Sequence, residues 1–154
     1  MLYNINVRNI RKQRKFKEDL IMSTASTITY VDENNIAHSI YCHFDGYTEH
    51  HMPILTEHYN TYEKAKELVD LGDMSVLEIK IHPNPTREHK WGYDNNAQDD
   101  VCIYYHRDRG DKWEQCKPAE YEYNEENWIE SCGQDYNYIF VNNKWYCNEY
   151  VAKE

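Results

Sequence analysis

Alternation of polar and apolar residues marks the first strongly patterned part of the chain. Residues 26–32 (STITYVD) alternate Thr and Tyr with Ile and Val, which is typical of a half-buried strand. Glu33, Asn34 and Asn35 supply turn residues, and residues 36–42 (IAHSIYC) form a second strand-like run. The pattern therefore predicts a β-hairpin.

Two helices are predicted after the hairpin. The first covers about residues 51–59, and the second covers residues 62–71, whose apolar residues fall on one helix face. Thr61 is a suitable N-cap for the second helix, and Gly72 is a suitable residue to end it.

The remaining sequence predicts further strands around a polar loop. A short strand or bend within residues 73–81 is followed by a loop over residues 83–99 and a strand over residues 101–106. A charged turn over residues 107–111 comes next, and Asn124 caps a helix over residues 125–132. The last predicted element is a hairpin of residues 136–141 and 144–150 around Asn142 and Asn143. The whole pattern predicts an α+β domain, in which a small mixed or antiparallel sheet of hairpins packs against two or three helices.

Charge divides the chain into two parts. Residues 1–21 carry a net charge of +4, and because the whole chain carries −10, residues 22–154 carry −14. A domain this acidic repels nucleic acid backbones and anionic membranes, so we expect no direct nucleic-acid or membrane binding. This charge favours a basic protein surface as the partner. Solubility is the simpler explanation of the acidic charge.

Compartment and redox state follow from what the sequence lacks. No apolar run approaches the roughly 20 residues of a transmembrane helix, and no apolar segment typical of a signal peptide is present. The chain has five cysteines and no CxxC pair. We therefore expect a cytoplasmic protein with reduced thiols.

A basic leader precedes the predicted domain. Residues 17–19 (KED) have codons that contain a purine-rich string, placed before the Met22 codon where a bacterial ribosome-binding site belongs. We hypothesise that residues 1–21 are a leader and that residues 22–154 form a single acidic domain. The alternatives are a basic amphipathic helix that contacts the domain, or a basic arm that contacts RNA.

The most distinctive segment is residues 40–50 (IYCHFDGYTEH). It resembles a family of small uncharacterised bacteriophage and prophage proteins, which carry a Y-x-[HQ]-[WF]-D-G-Y-P-E-[HG] signature after a short hairpin. The similarity extends over about residues 22–150. Thr48 stands where the family usually has Pro, and Met52 stands where a small residue is common. The resemblance implies a phage origin, the host cytoplasm and a fold, and it implies no mechanism.

The signature loop supplies the first set of candidate binding residues. These are His43, Asp45, Gly46, Tyr47, His50 and His51. A structural interpretation has Asp45 accepting hydrogen bonds from loop amides, Gly46 taking a positive φ and Tyr47 packing under the helix. The functional interpretation makes the histidines and Asp45 a polar cluster at a strand-to-helix junction. Imidazole and carboxylate suit zinc or manganese, but adjacent histidines usually diverge and no HExxH spacing is present, so we assign neither a metal nor a cofactor.

The second set of candidate residues is Arg107, Asp108 and Arg109, within an R-D-R-G segment. Guanidinium groups match phosphate and carboxylate geometry, whereas the structural interpretation pairs these arginines with Asp108 or Asp111. Cys42 and His43 are neighbours in a strand, so their side chains face opposite sides and cannot form a catalytic pair. No catalytic residue is assigned.

Three functional hypotheses follow. The first is a non-enzymatic phage accessory protein that binds a basic host or phage protein through an acidic, aromatic-rich surface. The acidic run of residues 94–135 is the observation that suggests this hypothesis. The second is a small-ligand or nucleotide-binding module that uses the residue 45–47 loop and the residue 107–110 turn. The third is a metal-dependent enzyme at the signature loop.

Overall fold

A computed structural model describes residues 24–91, 96–126 and 128–149. The basic leader and Met22 lie outside these ranges, so the start-site hypothesis stays a prediction. Within the described ranges, no helix has the length and apolar character needed to cross a membrane.

The described residues contain seven strands and five helical segments. The strands are β1 (Ser26–Val31), β2 (Ile36–Cys42), β3 (Met74–Val76), β4 (Ile103–Tyr104), β5 (Ala119–Glu122), β6 (Tyr136–Val141) and β7 (Lys144–Glu149). The helices are α1 (Thr48–His58), α2 (Tyr62–Asp70), α3 (Tyr105–Arg109), α4 (Trp113–Cys116) and α5 (Trp128–Cys132).

The strands form one mixed sheet in the order β4-β3-β2-β1-β6-β7, with β5 also paired to β2. The predicted hairpins are present as the antiparallel pairs β1/β2 and β6/β7. Parallel pairing of β1 with β6 joins the two hairpins. β2 pairs in parallel with β3 at Cys42 and antiparallel with β5 over Ile36 to Ser39. The prediction of an α+β domain is therefore confirmed.

Helices α1 and α2 cover one face of the sheet. Alternate residues of the strands, among them Ile28, Tyr30 and Tyr138, face this layer because strand side chains alternate between the two faces. They join Leu55 of α1 and Leu68 of α2 in one buried cluster. Removal of this apolar surface from water is the main favourable term in folding.

The opposite face of β1 is buried as well, and it is polar. Thr29 Oγ1 lies 2.6 Å from Ser39 Oγ, and Thr27 donates a 2.8 Å hydrogen bond to Asn137 Oδ1. These side chains tolerate burial because they bond to each other. The prediction of a half-buried strand is thus wrong for β1, which has buried residues on both faces from Ser26 to Tyr30.

Local turn and cap chemistry agrees with the prediction at three places. The Thr61 hydroxyl accepts a 3.2 Å hydrogen bond from the Lys64 amide, and Gly72 follows α2 with a φ of 90°. Asn142 and Asn143 have φ values of 54° and 61°, as a two-residue turn of type I′ requires. Cys42, Cys102 and Cys116 are buried as free thiols.

Several predicted boundaries are wrong. α1 begins at Thr48 rather than near residue 51, and α5 begins at Trp128 rather than residue 125. The sequence pattern also did not predict α4 or β5. β5 shows no alternation that a half-buried strand would have, since Ala119, Glu120 and Glu122 are all exposed.

The strand predicted over residues 101–106 is reduced to the two residues of β4. The Asp108 carboxylate accepts a 2.7 Å hydrogen bond from the Tyr104 amide, so this amide is not free to extend the strand. The chain turns into α3, and Gly110 ends that helix in the left-handed conformation with a φ of 79°. Arg107 to Arg109 therefore lie in a helix rather than in the predicted charged turn.

Candidate functional site

The signature loop leaves the sheet at the end of β2. The His43 amide donates to Met74 O at 3.1 Å, and the Phe44 amide donates to Ser75 O at 2.9 Å. These bonds hold the loop against β3. Asp45 then takes a positive φ of 58°, which reverses the chain.

Gly46 does not have the positive φ that the sequence predicted, because Asp45 takes that conformation instead. The need for glycine comes from close packing. A Cβ at residue 46 would lie 2.6 Å from Thr24 O and 2.8 Å from Ser26 Cβ, closer than van der Waals contact permits. The Gly46 amide donates to Thr24 O at 2.7 Å, and its carbonyl accepts a 2.6 Å bond from the Tyr138 hydroxyl.

Tyr47 connects the loop to α1. Its carbonyl accepts hydrogen bonds from the His50 and His51 amides, both at 3.1 Å, and so begins the helix. Its side chain is partly buried against the core, and its ring centre lies 6.1 Å from that of His50 in α1.

His50 and His51 do not diverge, contrary to our expectation for adjacent histidines. Their Nδ1 atoms lie 2.9 Å apart, and His51 Nε2 lies 3.0 Å from Ser26 Oγ. Burial lowers the pKa of His51 well below its ordinary value, and repulsion from His50 adds to this effect. Burial also lowers the pKa of His50, against the opposing charge of Asp45.

The resulting Ser26–His51–His50 chain resembles a hydrolase triad in connectivity only. A catalytic nucleophile has to reach its substrate, and both Ser26 and the neighbouring Cys42 are completely buried. Burial also raises the pKa of the Cys42 thiol, which disfavours the reactive thiolate. We therefore interpret the hydrogen-bonded group of Ser26, His51 and His50 as a buried polar support for the start of α1.

His43 lies apart from this pair. Its Nδ1 is hydrogen-bonded to the Tyr41 hydroxyl at 2.7 Å, and its ring packs edge-on against Phe44 at 4.4 Å. Among the described residues, no group of three or more His, Cys, Asp or Glu side chains is placed to hold a metal ion.

The second set of candidates separates into two roles. Arg107 uses its guanidinium inside the structure: it donates to both oxygens of Asp108, at 2.8 and 3.0 Å, and to the carbonyls of Ile81 and Cys102. His89 Nε2 also lies 2.9 Å from Cys102 O. Arg107 and Asp108 therefore anchor the residue 82–91 loop against β4.

Arg109 is placed at the surface. Its guanidinium lies 4.2 Å above the centre of the Tyr105 ring, 3.4 Å from Ser75 Oγ and 3.6 Å from an oxygen of Asp111. The side chain is 35% exposed. A cation stacked on an aromatic ring in this way is held in place while part of it remains accessible.

Tyr105 extends this arrangement to the signature loop. The centre of its ring lies 6.5 Å from the centre of the Tyr41 ring, and the Tyr41 hydroxyl bonds to His43. The ring centres of Phe44 and Trp91 lie 6.4 Å apart. We call this group the aromatic surface. Its members are Tyr41, His43, Phe44, Trp91, Tyr105 and Arg109.

Asp73 supports the aromatic surface from beneath. Its carboxylate accepts a 2.8 Å bond from the Tyr41 amide, and its backbone carbonyl accepts a 3.0 Å bond from the Tyr105 amide. Its own amide donates to Cys116 O at 2.7 Å. Burial raises the pKa of this carboxyl group to about 6. Asp73 therefore ties β2, α3 and α4 together.

The structure thus brings together two of the predicted candidates, His43 and Arg109, from separate sequence motifs. It places His50 and His51 in the first turn of α1, in contact with each other and with Ser26, and it places Arg107 and Asp108 at the loop anchor. Sequence reasoning did not single out Tyr41, Phe44, Trp91 or Tyr105. The one available signal was the Tyr41 and His43 spacing, since residues two apart share a face of a strand.

Comparison with known proteins adds no relative. No family model matches the chain, and no match was found among curated proteins or solved structures.

Proposed function

We propose that this chain is a non-enzymatic binding protein of phage origin, which attaches to a basic host or phage protein in the host cytoplasm. The contact is made by the aromatic surface, and the exposed acidic residues around α4 and β5 attract the partner. The phage origin and the compartment rest on the resemblance of residues 40–50 to phage proteins.

The observation that carries this proposal is the preorganisation of the aromatic surface. Tyrosine, tryptophan and arginine contribute most to protein–protein binding when they are already held in place. Here Arg109 stacks on Tyr105 at 4.2 Å, and the Tyr41 hydroxyl is fixed by His43 at 2.7 Å. Tyr41, His43, Phe44, Trp91 and Tyr105 are each half-buried, which leaves part of every ring accessible.

The charge of the surroundings supports a basic partner. The chain beyond residue 21 carries a net charge of −14. Glu114 lies on α4, which packs next to α3, and it is exposed. The exposed glutamates that follow it are Glu120, Glu122, Glu125 and Glu126. Such a field accelerates encounter with a positively charged protein and weakens as salt screens it.

The proposal is tested with the immobilised protein and two tyrosine variants. Proteins captured at low salt from a bacterial lysate are identified and purified, and their dissociation constants are measured by calorimetry. Tyr105→Ala removes the centre of the aromatic surface and is expected to weaken binding by about tenfold or more. Tyr123→Ala removes a half-buried tyrosine outside that surface and is expected to change the constant less than about twofold.

The salt dependence provides a second measurement. Binding is expected to weaken between about 50 and 200 mM salt because the Debye length shortens over this range. The proposal is overturned when no purified protein binds saturably, or when Tyr105→Ala and Tyr123→Ala have equal effects.

The two alternative functions have less support. The ligand-binding hypothesis relied on free arginines, but Arg107 directs its guanidinium to Asp108 and two backbone carbonyls. The enzyme hypothesis relied on grouping His43 with His50, and these side chains bond to Tyr41 and His51 instead. No observation at the residue 45–47 loop or at the residue 107–110 turn, both within the described ranges, favours either one.

A further inference from the structure

An open cleft that shares no residue with the aromatic surface lies between the end of α1, the beginning of α2 and the chain after β3. Its volume is about 340 Å³. The residues that line it are His58, Tyr59, Lys64, Glu67, Lys80, Ile81 and His82. This volume is at the lower end of the range for small-molecule sites.

The lining is cationic, in contrast to the rest of the domain. Outside the lining, Glu57 lies 3.9 Å from His58 Nε2. Within the lining, two lysines and two histidines face one carboxylate, whereas residues 22–154 as a whole carry −14. That carboxylate, Glu67, is already in contact with His82, at 2.7 Å. Neither Lys64 nor Lys80 has an ion-pair partner among the described side chains. The two ammonium groups are therefore available to an anion from solution.

The walls of the cleft are held by hydrogen bonds from the interior. The Tyr59 hydroxyl donates to Glu78 O at 2.7 Å, and the Tyr59 carbonyl accepts a 2.7 Å bond from the Trp145 indole. The backbone of Lys80 bonds on both sides, to Asp100 O at 2.9 Å and from the Cys102 amide at 2.8 Å. Ile81 O accepts from Arg107 at 2.7 Å. A cleft fixed in this way loses little entropy when a ligand binds.

The two kinds of lining define the ligand. Ammonium and imidazole groups donate to phosphate oxygens, and Tyr59 with Ile81 forms an apolar floor. We propose that this cleft binds a small organic phosphate of about the size of a mononucleotide, with the phosphate between Lys64 and Lys80 and the organic part on the floor. This site is separate from the aromatic surface and does not depend on the function proposed for it.

The test measures binding of adenosine monophosphate, inorganic phosphate and adenosine to the whole chain by calorimetry. Adenosine monophosphate is expected to bind at least about tenfold more tightly than either fragment, since each fragment lacks half of the contacts. Two-dimensional NMR of the same samples is expected to show the largest shifts at the amides of Tyr59 to Lys64 and of Lys80 to His82.

Charge-removing variants locate the site. Lys64→Gln and Lys80→Gln are each expected to weaken binding of adenosine monophosphate about fivefold or more. Lys112→Gln and Lys144→Gln remove exposed lysines outside the cleft and are expected to leave it within about twofold. All four positions are exposed, so folding is preserved.

Three results overturn the proposal. The first is absence of saturable binding up to about 10 mM ligand. The second is equal weakening by the cleft and control variants, which indicates a nonspecific charge effect. The third is equal affinity for inorganic phosphate and adenosine monophosphate, which shows that the apolar floor contributes nothing.

Discussion

Replacing Thr48 with proline is expected to stabilise the protein. Thr48 is the first residue of α1, where the amide has no partner within the helix and proline is favoured. The preceding residue, Tyr47, has φ −71° and ψ 157°, which is the extended conformation that a following proline requires.

The hydroxyl of Thr48 adds a second reason. Thr48 Oγ1 is buried and has no hydrogen-bond partner among the described residues. The neighbouring Tyr138 hydroxyl donates its proton to Gly46 O at 2.6 Å, and its oxygen offers Thr48 only a poorly placed acceptor. A buried polar group without a partner costs about 1–3 kcal/mol. Proline also restricts the unfolded chain, which stabilises the fold by about 0.4–1 kcal/mol.

The two contributions can be separated by urea denaturation at neutral pH. Thr48→Val removes the hydroxyl and keeps the shape of the side chain, so it is expected to raise the free energy of unfolding by about 1–2 kcal/mol. Thr48→Pro is expected to add the further entropic gain. The reasoning is refuted when Thr48→Val lowers the free energy of unfolding, or when Thr48→Pro is less stable than Thr48→Val.

Two further predictions concern the loop and its support. Gly46→Ala is expected to lower the free energy of unfolding by about 2–4 kcal/mol, because a Cβ would lie 2.6 Å from Thr24 O. In the control Gly110→Ala, the new Cβ meets no atom within 4 Å, and the expected loss is about 1 kcal/mol. Equal losses of the two variants in urea denaturation would contradict this reasoning. Asp73→Asn keeps an oxygen for the Tyr41 amide and removes a buried charge. The folded pKa of Asp73, about 6, exceeds the unfolded value of 3.8, so the wild type gains stability from this group below pH 4 and loses it as the pH rises through 6. After allowance for partial exposure, Asp73→Asn is therefore expected to be about 1 kcal/mol more stable than the wild type at pH 7.5. Near pH 3.5, the thermal unfolding curves of the two proteins are expected to coincide. A variant that is less stable than the wild type at pH 7.5 would contradict this prediction.

The two hairpins and the second helix could be predicted because their signals are local. Alternation over residues 26–32, the Asn142–Asn143 turn and the Thr61 cap all act within a few residues of chain. The boundaries that were wrong depend on distant contacts. The predicted strand at residues 101–106 is shortened because Tyr104 bonds to the Asp108 carboxylate, and Arg107 holds that carboxylate in place.

The candidate site was predictable only in part. His43 and Arg109 stood out as members of distinctive motifs, and the sequence assigned the glycine of the signature loop to the wrong cause. The need for Gly46 comes from Thr24 and Ser26, which pass close to it only in the folded chain. Tyr105 became part of the site because the Asp73 carbonyl fixes its amide beside Tyr41.

By itself, the sequence determined the class of the domain, its hairpins, its caps and its acidic charge, because these depend on composition and on neighbours in the chain. Tertiary structure decided the parallel pairing of β1 with β6, the polar buried face and the cationic cleft. It also decided which residues of the two motifs meet in the aromatic surface. These features arise from burying apolar faces that are far apart in sequence, and the energy of that burial depends on their arrangement in space.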